Sequence, residues 1–383
     1  MSDMFGARWR VHWMAGSGPS RPAADPHRAV CALATAVVRG RPVAVACRAD
    51  MTVQLWDLPT GRPAGQELIP SPAWRERGRM PLRGRDLATA VVNGRPVAVV
   101  VGRVDARRSG EAVLMWDLDT GRQIGGPVAS PSPLVAVDAT VVDGRPVAVT
   151  GDADGRVRVW DLTTCREVEF TRPMCHTDQV GSVATVAVDG RAVAVTGDSG
   201  HFGGEDIRVW DLASGLQVGD PFVPVHPRGS WTSMTAAAPG GWPVIVTEGE
   251  DGTVCAWDLA GGERVDGPLA GGCARAESTG ALVAMTVDDR PAVATGACDG
   301  TLRGWRLFAG APAQKLLDLT FPLPVRALAP APCGGLLVGS GAEVALVTRS
   351  GTADARPVRY ARVAGSVLAP QTTTATRSPG AGT

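Results

Sequence analysis

The segment Val157-Arg158-Val159-Trp160-Asp161-Leu162 contains the tripeptide that decides the fold, because Trp-Asp-Leu returns along the chain. Five copies and a sixth, altered one (Trp-Arg-Leu) begin at Trp56, Trp116, Trp160, Trp210, Trp257 and Trp305. Successive copies are 60, 44, 50, 47 and 48 residues apart. Self-similarity at such a period is typical of an array of small repeated units.

Composition indicates that these units are built from strands. The chain has 383 residues, 44% of them hydrophobic, and its apolar residues are mainly Ala and Val. Small and β-branched residues suit closely packed strands, and 48 Gly and 30 Pro supply frequent turns. The sequence therefore predicts an all-β protein that can bury a substantial core.

Charge and cysteine content argue against several classes of partner and cofactor. The formal net charge is zero, which disfavours nucleic acid, and no apolar run is long enough to span a membrane. The eight Cys show no metal-ligand spacing, so we expect no metal and no cofactor. Without a signal peptide, the expected location is cytoplasmic.

Each unit reads as strands joined by recognisable turns, and the third unit shows the pattern. Two apolar strands, 135–142 and 147–150, flank the turn Gly144-Arg145-Pro146. The pair Asp154-Gly155 then predicts a tight hairpin into the strand that ends at Trp160. Five residues beyond the Trp most units have a Gly, as expected for a turn with positive φ, but the third unit has Cys165.

These motifs resemble WD40-repeat β-propellers of the bacterial, actinobacterial type, over roughly residues 27–350. The resemblance implies four-stranded antiparallel blades around an axis lined by the small first strands. We expect seven blades, the seventh formed near 324–348, with six as the alternative count. The basic residues are almost all Arg, which together with abundant Ala, Gly and Pro indicates a GC-rich, actinobacterial-type genome. We expect a monomeric, cytoplasmic WD-repeat protein.

The family resemblance further assigns a hydrogen-bonded structural tetrad of His, Ser/Thr, Asp and Trp to its blades. Here the matching residues are His176, Thr196, Asp206 and Trp210 in blade four, and His226, Thr247, Asp251 and Trp257 in blade five. Blade one has Ala46 where the hydroxyl belongs. These residues are expected to be struts rather than catalysts.

The chain is divided into three parts by composition. Residues 1–26 form an N-terminal arm whose strand 8–13 we favour over 356–363 as the strand that closes the ring. Residues 27–363 form the propeller, and residues 364–383 form a disordered tail rich in Pro, Thr and Gly.

The first interval is long because it contains two Arg-rich insertions, which the fold would place on one face. Together they hold eight arginines against four acidic residues, a net charge of +4. Exposed loops on a rigid scaffold often carry function. The candidate partner-binding residues are Trp74, Arg75, Arg77, Arg79, Arg83, Arg85, Arg103, Arg107 and Arg108.

The sequence offers no nucleophile and base for catalysis, so we predict that the chain is not an enzyme. Ser199 lies in a turn of the repeat, and a metal site at His201, Glu205 and Asp206 is not adopted because Asp206 has its tetrad role. The leading prediction is a non-catalytic protein-protein interaction scaffold whose partner is acidic or phosphorylated. The alternative is a sensory or regulatory propeller that acts through a separate effector.

Overall fold

The computed structural model of the chain describes most residues between Trp9 and Arg349. The described ranges are 9–15, 28–70, 83–103, 111–198, 206–227, 231–238, 241–270, 281–288, 290–307, 314–332 and 334–349. Within them the strands form seven antiparallel sheets. No helix in these ranges is long and apolar enough to cross a membrane.

The strands of the first three blades follow the N-terminal strand β1 (Trp9–Ala15). Blade one contains β2 (Val30–Val38), β3 (Arg41–Arg48) and β4 (Val53–Asp57). Blade two contains β5 (Arg83–Val92), β6 (Arg95–Arg103), β7 (Glu111–Asp117), β8 (Arg122–Gln123) and β9 (Val128–Ser130). Blade three contains β10 (Leu134–Val142), β11 (Arg145–Asp152), β12 (Arg156–Asp161), β13 (Arg166–Val168) and β14 (Met174–Cys175).

Blades four to seven repeat this arrangement. Blade four contains β15 (Val180–Val188), β16 (Arg191–Asp198), β17 (Ile207–Asp211) and β18 (Leu216–Gln217). Blade five contains β19 (Trp231–Ala237), β20 (Val244–Gly249), β21 (Thr253–Asp258) and β22 (Arg264–Ala270). Blade six contains β23 (Ala281–Val287), β24 (Arg290–Gly296), β25 (Thr301–Arg306) and β26 (Gln314–Thr320), and blade seven contains β27 (Val325–Pro330), β28 (Leu336–Ser340) and β29 (Glu343–Arg349).

The first strands of the blades form the inner ring. Each contacts the first strand of the next blade, and β27 contacts β2, so the ring closes after seven blades. The predicted all-β, seven-bladed propeller of four-stranded antiparallel blades is confirmed, and the alternative count of six is wrong. In blade one, isolated bridges at Pro63 and Leu68 stand where the other blades have a fourth strand.

The second strands are the buried centre of each blade. Val99 and Val149, from the Val-Ala-Val runs, have no solvent-exposed surface. Burying such a side chain contributes about 1.5–3 kcal/mol relative to leaving it exposed. The third strand ends in the repeat Trp, and the Asp that follows it organises the next turn. Asp161 Oδ1, for example, accepts bonds from the backbone N–H groups of Thr163 and Thr164 at 2.8 and 2.9 Å.

The N-terminal segment supplies the outermost strand of blade seven. β1 pairs with β29 from Trp9↔Arg349 to Ala15↔Val344, extending past the predicted span 8–13 at its C-terminal end. Trp13 of this strand reaches blade one, where a Cβ at Gly61 would lie 2.7 Å from the Trp13 ring. The competing segment 356–363 and the predicted tail 364–383 lie outside the described residues.

The turn glycines that follow the repeat Trp residues are contacted by side chains of the preceding blade. Gly215 in blade four has φ +71°, and a Cβ there would clash with the ring of Phe170 in blade three. Cys165 takes the same turn position in blade three with φ 57°, a conformation that favours glycine. This residue therefore strains the one turn in which the repeat pattern is broken.

Candidate protein-interaction face

The two Arg-rich insertions leave blade two from the same end of one strand pair. β5 begins at Arg83 and β6 ends at Arg103, and the register places these residues directly opposite each other. Segment 71–82 precedes β5 and segment 104–110 follows β6. The second strand of every blade ends on the same side of the propeller as these two insertions. We call this side the insertion face.

Three of the candidate partner-binding residues lie within the described ranges. Arg83 starts β5, Arg85 is exposed two residues further along the strand, and Arg103 is partly buried opposite Arg83. Arg85 and Arg103 both have interaction partners. The remaining candidates lie outside the described residues: Trp74, Arg75, Arg77, Arg79, Arg107 and Arg108.

A further arginine cluster lies on the insertion face in blade one. Arg48 ends β3, is only 7% exposed, and forms a salt bridge with Glu67. Arg28 Nη2 lies 3.1 Å from the same Glu67 carboxylate. Burial lowers the pKa of Arg48, although the Glu67 charge opposes the shift. The sequence signal was available, because Arg48 replaces the Asp found at this strand end in blades three and four.

One position near the end of the second strand differs in charge between blades. It holds Arg48 in blade one, Asp152 in blade three and Asp198 in blade four. In blade two the equivalent residue is Gly102, and Arg103 lies one residue further along the strand. Both aspartates are completely buried, so they lie beneath the surface of the insertion face.

The tetrad of blade four is present with direct hydrogen bonds. Trp210 Nε1 donates to Thr196 Oγ1 at 2.8 Å, and His176 Nε2 lies 2.7 Å from the same hydroxyl. His176 Nδ1 lies 2.8 Å from Asp206 Oδ1, and the Arg208 guanidinium donates to Asp206 Oδ2. Burial raises the pKa of Asp206, but the bonds from His176 and Arg208 outweigh it and lower this pKa to about 2.

The tetrad of blade five differs from the expected one by an extra hydroxyl. Trp257 Nε1 donates to Thr247 Oγ1 and His226 Nε2 lies 2.8 Å from it. His226 Nδ1, however, lies 3.1 Å from Thr253 Oγ1, which in turn donates to Asp251 Oδ1 at 2.6 Å. Thr253 therefore connects His226 to Asp251. Sequence reasoning missed it because the family pattern contains no such residue.

Blades one and two lack the tetrad hydroxyl, and the indole N–H of the repeat Trp in each of these blades therefore has no acceptor among the described residues. Trp56 Nε1 and Trp116 Nε1 are buried without a hydrogen-bond partner in the described part of the chain. The positions that carry Thr150 and Thr196 in blades three and four are occupied by Ala46 and Val100. A buried N–H group without a partner costs about 1–3 kcal/mol.

Two aspartates hold neighbouring inner strands together. Asp86 Oδ2 of blade two accepts a bond from the Val137 backbone N–H of blade three at 2.9 Å. Asp138 Oδ2 of blade three accepts one from the Thr185 backbone N–H of blade four at 2.7 Å. Burial raises the pKa of both carboxyls, that of Asp86 to about 7. These side chains satisfy N–H groups on strand edges that face the axis.

The tetrad residues of blades four and five and the two inner-strand aspartates thus have structural partners, and the fold defines the class. The chain is a seven-bladed β-propeller. It is similar to the crystal structure of the computationally designed Ika8 protein, with a TM-score of 0.52 and 21% sequence identity. That match covers 85% of this chain and 98% of the designed one, and at this identity it shows the fold alone. No family model and no curated protein matches the sequence.

Proposed function

We propose that the chain is a bacterial WD40-type propeller that serves as a non-catalytic interaction scaffold and docks an acidic or phosphorylated protein segment on the basic side of its insertion face. The observation that carries the proposal is the pairing of Arg83 with Arg103, which brings the two insertions to one place. Arg85 adds an exposed guanidinium two residues along the same strand.

The neighbouring blade extends this basic region. Arg28 and Arg48 lie at the same end of blade one, where Glu67 neutralises part of their charge. Guanidinium groups bind carboxylates and phosphates with paired hydrogen bonds, and such contacts are stronger than neutral ones. A rigid ring holds the groups in fixed relative positions, which lowers the entropy lost on binding. The tetrads, in this proposal, maintain that rigidity.

The test measures binding of defined peptides to the full chain by fluorescence anisotropy. A Glu-rich peptide and a phosphoserine peptide are compared with a neutral peptide of the same length. We expect the acidic peptides to bind and added NaCl to weaken their affinity, because exposed charges are screened by salt. Equal affinity for the neutral peptide would argue against the proposal.

The variant for this test combines Arg85→Glu with Arg103→Gln. Gln is chosen at position 103 because Arg103 lies opposite Glu111, where a second acidic residue would be repelled. The matched control combines Arg41→Glu with Arg145→Gln, which gives the same change in net charge. Both are exposed arginines at the start of second strands, at the other end of the propeller. We expect only the first variant to lose peptide binding. Equal losses in both variants would indicate a non-specific charge effect.

A further inference from the structure

Asp198 is a buried carboxylate that accepts no hydrogen bond from the described residues, and His176 Nδ1 lies 3.8 Å from its Oδ2. Its side chain is 0% exposed, and neither carboxylate oxygen has a hydrogen-bond partner in the part of the chain that the structure describes. Burying a carboxylate in this way is strongly unfavourable unless a cation or several donors balance its charge. Additional positive charge at this position would therefore be favourable.

Blade three provides an internal comparison. Asp152 stands at the equivalent end of β11 and is also fully buried. Its Oδ1 accepts bonds from the backbone N–H groups of Asp154 and Arg156, and its Oδ2 accepts one from Arg158 Nε. In blade four the arginine at the position of Arg158 is Arg208, which donates to Asp206 instead. The carboxylate at this position thus has hydrogen-bond donors in blade three, whereas the equivalent carboxylate in blade four accepts no hydrogen bond from the described residues.

The groups around Asp198 have the chemistry and the spacing of metal ligands. One atom each from His176, Asp198 and Asp206 lies within 4.8 Å of the other two. His176 Nδ1 is 2.8 Å from Asp206 Oδ1 and 3.8 Å from Asp198 Oδ2. Two ligands of one tetrahedral Zn²⁺ lie about 3.3 Å apart, given metal–ligand bonds of about 2.0–2.2 Å. The two separations from His176 Nδ1 lie on either side of that value.

We propose that His176, Asp198 and Asp206 bind a divalent transition-metal cation, with Zn²⁺ as the probe of choice. The two carboxylates balance the charge of the ion, and the imidazole favours a transition metal over Mg²⁺ or Ca²⁺. Arg208 orients Asp206 by holding the oxygen that faces away from His176. Such supporting bonds are typical of ligands that are fixed before the metal arrives.

A metal bound at His176 Nδ1 would displace the hydrogen that this nitrogen shares with Asp206 Oδ1. Coordination through Nδ1 requires the imidazole hydrogen on Nε2, from which it is donated to Thr196 Oγ1, 2.7 Å away. Thr196 Oγ1 continues to accept the Trp210 bond, and its own hydrogen points to the Arg208 backbone oxygen at 3.5 Å. The ion would connect the segment before β15 to the end of β16 and to Asp206, which precedes β17, so binding should stabilise the folded chain.

The test uses the full chain, dialysed against a chelator and titrated with ZnCl₂ by isothermal calorimetry. We expect saturation at one ion per chain and a higher midpoint of thermal unfolding with Zn²⁺ than without it. Asp198→Asn keeps the shape of the side chain and should weaken Zn²⁺ affinity about tenfold or more. The matched control, Asp152→Asn, alters the equivalent residue in blade three and should leave Zn²⁺ affinity unchanged.

Two results would overturn the proposal: no saturable Zn²⁺ binding by the wild-type chain, or equal affinity in the wild type and Asp198→Asn. If Asp198→Asn does not fold, X-ray absorption at the zinc edge of the wild type decides. The proposed site requires a shell of nitrogen and oxygen with one imidazole. A shell that contains sulfur, or none with imidazole, contradicts it.

Discussion

Trp13 Nε1 donates a hydrogen bond to the backbone oxygen of Leu58, 2.8 Å away, and so joins the first strand of the chain to blade one. β1 is at the same time paired with β29 of blade seven. The bond therefore crosses the seam between the last blade and the first. The ring is closed by backbone pairing on one side of β1 and by a tryptophan side chain on the other.

Replacing Trp13 should weaken this seam in two separable steps. Trp13→Phe removes the N–H donor and keeps an aromatic ring on Gly61, so we expect a loss of about 0.5–1.5 kcal/mol in the free energy of unfolding. Trp13→Ala also removes the ring and should cost more. Urea denaturation of the variants measures both. Equal stability of Trp13→Ala and wild type would show that the seam does not depend on this residue.

The unpaired tryptophan of blade two predicts a stabilising substitution. Val100→Thr is nearly isosteric and places a hydroxyl where Thr150 accepts the Trp160 bond in blade three. We expect a gain on the order of 1 kcal/mol, because Trp116 Nε1 acquires a partner. The reverse change, Thr150→Val, should destabilise by about 1–3 kcal/mol by leaving Trp160 without one. Thermal unfolding of both variants checks the pair, and a loss of stability in Val100→Thr would contradict the argument.

Cys165 should be replaceable by glycine with a gain in stability. Its φ of 57° matches the turn position at which Gly61 and Gly215 have φ 66° and 71°. Glycine adopts this conformation without the strain of a Cβ, so Cys165→Gly should raise the free energy of unfolding by about 0.5–1 kcal/mol. The denaturation midpoint measures the effect. An unchanged or lowered midpoint would mean that the partly buried thiol contributes more by packing than it costs in strain.

Asp86 should make stability depend on pH. Burial raises the pKa of this carboxyl to about 7 in the folded chain, from an ordinary value of 3.8. Between these values the folded state holds more protons than the unfolded state, so the contribution of Asp86 falls as pH rises from about 4 to 7. We expect Asp86→Asn to show a shallower decline across this window. Denaturant titrations at several pH values test this, and parallel curves for the two proteins would refute it.

Sequence reasoning succeeded where a feature repeats and failed where it depends on two neighbouring blades. Trp160, Thr196 and Gly215 could be assigned because each has counterparts at a fixed spacing. The hydrogen bond from Val137 to Asp86 could not be predicted, because it depends on how the first strands of blades two and three are positioned relative to each other. The candidate site was predicted in part: the fold places Arg83 opposite Arg103 as the insertions suggested, whereas Arg48 and its partner Glu67 were missed because they occur outside the insertions.

The pairing of β1 with β29 also has a consequence for biosynthesis. A ribosome makes Trp9 long before Arg349, yet these residues are neighbours in the finished sheet. Blade seven cannot be completed until the six blades between them have emerged, and contacts so distant in sequence form slowly. During translation β1 therefore remains without its partner strand β29. Any delay in synthesis prolongs the period in which the unpaired edges of β1 can pair with another nascent chain.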